Sequence, residues 1–114
     1  MKRSRSAKAP LQVRFNRSRG AIVRITVTGH AGFARAGKDI VCAAVSALVQ
    51  TAANGVSAFC GAVAVVHDDP RGDYRLDIHG GGVRAQAVLE STIAGLRAIA
   101  RSYRGYLTVR GAGK

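Results

Sequence analysis

The chain has 114 residues and a mass of 11.9 kDa, a length that suits one domain and excludes a multi-domain enzyme. Apolar residues make up 47%, which excludes a disordered chain, and two cysteines are too few for a disulfide scaffold. Eighteen lysines and arginines against six aspartates and glutamates give +12, and the lack of tryptophan argues against an aromatic-rich stacking surface for single-stranded nucleic acid.

The charge is uneven. Lys2, Arg3, Arg5, Lys8, Arg14, Arg17 and Arg19 put seven positives and no negative in the first 20 residues. Such a head is drawn to phosphate backbones or anionic lipid. Residues 1–10 read as a basic flexible tail and 11–114 as one domain. The head runs into Leu11, Gln12, Val13 and Arg14 rather than an apolar stretch, so no secretory signal is expected.

Residues 11–16 and 21–29 read as two strands with a turn over Asn16–Gly20. In the second, Arg24, Thr26 and Thr28 alternate with Ile25 and Val27, the period of a half-buried strand. A glycine-containing loop, Gly29 to Lys38, follows. Asp39 is a good N-cap, and Val41, Val45, Leu48, Ala52, Val56 and Phe59 then fall at helical spacing, predicting a helix that ends near Gly61. Ala62–His67 and Tyr74–His79 read as a hairpin about a turn at Asp68–Gly72. Gly80–Gly82 leads into a second helix over 83–102, with Val88, Thr92, Leu96, Ile99 and Tyr103 on its apolar face. Tyr106–Arg110 is a last strand. The order is ββαββαβ, and the economical fold is an α/β two-layer sandwich, two helices packed on a mixed sheet of about five strands.

Ile40 to Val66 lacks charge and is long enough to span a bilayer, but Gln50, Thr51, Asn54 and Gly55 lie in its middle, so no membrane span is expected. Two cysteines not joined by a bridge fit a reducing cytoplasm. On one helix, Cys42 and Cys60 would stand about 27 Å apart, far beyond the ~7 Å that a disulfide tolerates.

The chemistry concentrates between Gly29 and Leu48. With Asp39 as N-cap, Cys42 is the third helical residue. Unpaired backbone N–H groups and the helix dipole favour an anion there, hence a thiolate. Lys38 adds positive charge, and the same N–H groups could hold an oxyanion. Cys60, at the far end of the helix, reads as structural. His30 stands where a strand ends, and a nucleophilic thiol needs an imidazole within reach. His67 and His79 fall at opposite ends of the predicted hairpin, about six rungs apart, so they cannot share an ion. No metal and no cofactor are expected. Gly32 to Asp39 falls one residue short of a phosphate-binding P-loop, with Asp39 where a Ser or Thr would be required.

The run Gly29-His30-Ala31-Gly32, then Asp39-Ile40-Val41-Cys42, with Ser46 one turn on, strongly resembles the ribosomal-processing cysteine protease family. The resemblance extends loosely over residues 11–110. It implies a two-layer α/β fold, a homodimer, and a cytoplasmic endopeptidase that removes the N-terminal extension of bacterial large-subunit ribosomal protein 27. Carried over by position, Cys42 is the nucleophile and His30 the general base. Asp39 either orients His30 or caps the helix. Ser46 shares the face of Cys42 and either hydrogen-bonds near the thiolate or packs. Gly32, Gly37 and Lys38 belong to a loop that would order over the substrate. A charge of +12 fits poorly with a basic ribosomal-protein substrate, since like charges slow encounter. The basic surface is therefore read as a contact for ribosomal RNA. The rival reading is a non-catalytic ribosome- or RNA-binding module in which Cys42 and His30 are bystanders.

Overall fold

A computed structural model describes residues 11–29, 36–69 and 73–114, with 36–39 described by backbone alone. The basic tail over 1–10, His30 and Gly32 lie outside the described residues. The elements run β1 (Leu11–Ser18), β2 (Ala21–Thr28), α1 (Ala36–Phe59), β3 (Val63–Asp68), β4 (Tyr74–His79), α2 (Gly82–Ser102) and β5 (Leu107–Gly113). The five strands form one mixed sheet in the order β3-β4-β2-β1-β5, and β5 joins β1 in parallel. This is the expected α/β arrangement of two helices on a five-stranded sheet.

Alternation builds the first hairpin. Leu11, Val13 and Phe15 of β1 are buried between outward polar neighbours, as are Ile25 and Val27 of β2. β1 runs two residues further toward the turn than the sequence suggests, while β2 starts at Ala21 as expected. The turn is only Arg19–Gly20, with both φ angles positive (53° and 83°), the two-residue geometry that suits the strand twist. Ile22 and Ile25 are three apart yet both fully buried. A bulge resolves this: the register passes from Asn16↔Arg24 to Arg17↔Ile22, leaving Val23 as the extra residue.

Helix α1 lays Val41, Val45, Val49, Ala52, Ala53 and Val56 into the core. Each buried valine contributes roughly 1.5–3 kcal/mol. Two expected core positions differ. Leu48 is half-buried, because it turns toward α2, where its Cδ1 sits 3.3 Å from where a Cβ on Gly95 would be. Phe59, the helix's last residue, is 78% exposed. The same helix is long and apolar enough to cross a membrane by length and composition, but its valine stripe is spent on the sheet.

The start of α1 also departs from expectation. The helix begins at Ala36, so Asp39 is its fourth residue and not its N-cap. An aspartate suits either place, because the first turn also favours negative charge. In α2 the buried residues are Ala85, Leu89, Thr92, Ile93 and Leu96, while Tyr103 is exposed. The inward face is thus turned from the expected one by about one residue.

Candidate active site

Helical spacing on α1 fixes the site. Val41 and Val45 point into the core, which turns Cys42 and Ser46 to the side of the helix. Cys42 is half-buried against the core, and Ser46 and Gln50 follow it at four-residue steps. Together with Val45 and Val49 they floor a cleft of about 210 Å³. Leu11 at the start of β1, Val27 near the end of β2, and Asp68 and Tyr74 complete its walls. Asp68 and Tyr74 are register partners that close the β3–β4 ladder. At about 210 Å³ the cleft is smaller than the ~300–1,000 Å³ of typical small-molecule sites. It suits a side chain or a short peptide segment.

The polar groups of the cleft are ordered. Gln50 Nε2 donates to the Ser46 hydroxyl at 2.7 Å. Burial, with the charge of Asp68 beside it, pushes the Tyr74 phenol above its ordinary value, so it stays a neutral hydroxyl at neutral pH. Beyond Asp68 and Tyr74 the surface continues into an open groove that also includes Thr28, His67, Asp69 and Asp73.

Cys42 and Ser46 are brought together as expected. The start of α1 at Ala36 makes Cys42 the seventh helical residue. Only the first four N–H groups of a helix lack internal partners, so the backbone N–H of Cys42 is not one of them. The expected oxyanion site built on N–H groups at the helix start therefore does not fall at Cys42. Gly37, Lys38 and Asp39 lie in the first turn of α1 by backbone, their side chains outside the description. Cys60 follows α1 at its far end, away from the cleft. His67 faces Arg75 and His79 faces Val63, four residues apart along β4 rather than the expected six. Among the described residues no group of three His, Cys, Asp or Glu converges. Gln50, Asp68 and Tyr74 escaped the sequence reading. Gln50 was legible as the next step of the 42, 46 stripe, but Asp68 and Tyr74 reach the cleft only through the sheet.

A thiol and a hydroxyl one turn apart on a core helix, at the floor of a peptide-sized cleft, define a small α/β protein built for thiol chemistry. Residues 11–108 match the model of the cysteine protease Prp family. A curated relative, the ribosomal processing cysteine protease Prp of Bacillus subtilis, is 35% identical over 95 residues, covering 77% of this chain and 84% of its own. The chain belongs to the cysteine protease Prp family. Among solved structures, SMU.848 from Streptococcus mutans matches with a TM-score of 0.85 at 26% identity, covering 93% of this chain and 97% of its own. The essential ribosomal processing protease Prp from S. aureus, solved with a covalently linked product peptide, has a TM-score of 0.79 at 21% identity over 89% of this chain and 98% of its own.

Proposed function

We propose that this cysteine protease removes the N-terminal extension of bacterial large-subunit ribosomal protein 27, with Cys42 as nucleophile and His30 as general base. The placement of Cys42 on the cleft floor carries the reading. His30 passes the Cys42 proton to the leaving amine as Sγ attacks the scissile carbonyl. The C–N bond breaks, the new N-terminus departs, and water attacks the thioester to free the carboxylate. Val27 lines the same cleft, and His30 follows it by only three residues in the chain. That short separation supports the pairing of the two groups. Gly32, Gly37 and Lys38 are proposed to contact the substrate.

The reading also includes a cytoplasmic homodimer. Phe59 (78% exposed) and Val63 (60% exposed), with Val65 and Val66, form an apolar strip along the β3 edge of the sheet, which supports pairing there. A contact with ribosomal RNA is an addition to catalysis rather than a substitute for it.

The test is cleavage of a peptide spanning the extension junction, followed by mass spectrometry. Wild type should cut once at the junction. Cys42→Ala should abolish turnover, His30→Ala should lower it by roughly 10²–10⁴-fold, and Cys60→Ala should keep it. Full activity in Cys42→Ala would sink the mechanism. Sedimentation of wild type against Val63→Glu reads the dimer.

A further inference from the structure

The edge of the sheet opposite β3 is lined with arginine on both faces. On the open face, Arg14 of β1 and Arg110 of β5 are register partners on adjacent strands, about 4.8 Å apart. On the helix side, Arg97, Arg101 and Arg104 surround a shallow hollow of about 270 Å³ beside Val109. Val109 and Arg110 are consecutive in β5 and point to opposite faces, so the two groups of arginines wrap the strand.

No carboxylate offsets these five charges among the described residues. The acids whose side chains are described are placed elsewhere: Glu90 holds Arg17, and Asp77 holds Arg24 and Arg75. Asp68, Asp69 and Asp73 belong to the β3–β4 hairpin at the other edge. Arg97 is steadied by the buried Phe15 ring, 5.5 Å from its centroid. Exposed Tyr103 and Tyr106 flank Arg104 in the chain. Clustered, uncompensated guanidinium groups beside exposed phenol rings suit a strand of phosphates with unpaired bases. The exposed valines that would suit a bilayer lie on the β3 edge instead.

We propose that the arginine-lined β5 edge is a docking surface for single-stranded RNA, held chiefly through its phosphates. This rests on the reading above, in which the substrate is a ribosomal protein. RNA bound at this edge would bring a +12 enzyme to a basic substrate that it would otherwise repel.

The experiment is fluorescence anisotropy of the full chain with a labelled 20-nucleotide RNA of mixed sequence, across a salt series. Wild-type affinity should fall with log salt at a slope of about 0.7 per phosphate contact, near 3.5 for five contacts. The doubles Arg14→Gln/Arg110→Gln and Arg101→Gln/Arg104→Gln should each lower that slope by about 1.4. Replacing Lys2, Arg3, Arg5 and Lys8 by Gln should leave most of the slope. Wild-type slopes in both doubles, with loss only in the four-residue head variant, would overturn the proposal. So would salt-independent binding, or binding to phosphatidylserine vesicles in preference to RNA. Peptide cleavage without RNA, run in parallel, should be unchanged in the doubles, because Arg14, Arg101, Arg104 and Arg110 are not among the residues that line the cleft. RNA binding that fails while cleavage persists overturns the docking surface alone; wild type that never cleaves overturns the reading beneath it.

Discussion

Gln50 donates a hydrogen bond to the Ser46 hydroxyl at 2.7 Å, and Ser46 lies one turn beyond Cys42 on the same cleft floor. A hydroxyl that accepts from Gln50 keeps its own proton to give elsewhere, and its rotation is restricted. Gln50 therefore orients the Ser46 hydroxyl. The net worth of one such bond is about 1 kcal/mol, or roughly fivefold in rate. Ser46→Ala and Gln50→Leu should each lower kcat/KM by about that factor on the extension-junction peptide. The double variant should be no worse than the poorer single, because both remove one interaction. Additive losses in steady-state kinetics would separate the two residues.

A second amide secures the fold near the bulge. The β2–β4 ladder ends at Arg24↔Asp77, and two residues earlier Ile22 has no strand partner on that side. Gln86 of α2 takes the missing strand's place. Its Oε1 accepts from the Ile22 N–H at 2.7 Å, and its Nε2 donates to the Ile22 carbonyl at 3.0 Å. Gln86→Leu strands both partly buried backbone groups and should cost about 2–3 kcal/mol in urea unfolding. Gln86→Glu keeps an acceptor for the N–H but loses the donor, and should cost less.

Two glycines at the start of α2, its cap Gly81 and its first residue Gly82, divide sharply. Gly81 has φ +89° and caps α2 without a side chain; a Cβ there would lie 2.5 Å from Ala85 Cβ and 2.8 Å from Ala62 Cβ. Gly82 has φ +57° with nothing within 4 Å of a Cβ. Gly81→Ala should therefore lose about 2–4 kcal/mol, combining left-handed strain with overpacking, and Gly82→Ala only about 1. Thermal unfolding of the two variants side by side tests this, and equal losses would assign both effects to the backbone.

The sequence carried the element order because β-strand alternation and helical valine spacing are local signals. Leu11, Val13 and Phe15 are buried as their period requires, and Val41, Val45, Ala52 and Val56 fall on the core face of α1. What failed was set by partners far along the chain. Leu48 competes with Val49 for the core, and the approach of α2 at Gly95 decides between them. Gly80–Gly82 read only as the lead into the second helix, because the tight contact of Gly81 with Ala62 joins segments that only the fold brings together. In the site, Cys42 and Ser46 were legible as a helical pair. Asp68 and Tyr74 were not, since they reach the cleft through strand pairing. Asp39 misplaced the helix start because an aspartate caps a helix and sits well in its first turn alike.

Asp77 gives a prediction with a defined sign. On the open face of the sheet its carboxylate meets Arg24 Nε at 2.6 Å, Arg75 Nε at 3.2 Å and His67 Nε2 at 3.7 Å. Burial pushes this carboxyl up, but the hydrogen bond and charge of Arg24, joined by Arg75 and His67, outweigh burial and hold it below the ordinary range. The folded state thus prefers the ionised form more than the unfolded chain does. The resulting stability is present above the unfolded value of about 3.9 and is lost as pH falls through that value toward the folded one. Asp77→Asn should lower stability at pH 7 by about 1 kcal/mol, the upper end for a partly exposed ion pair. Urea unfolding of both proteins should show the gap constant from pH 7 to about 5, narrowing below about 4, and reduced by added salt. A gap at pH 3 equal to that at pH 7 would mean that Asp77 acts through shape and hydrogen bonding, with its charge contributing nothing.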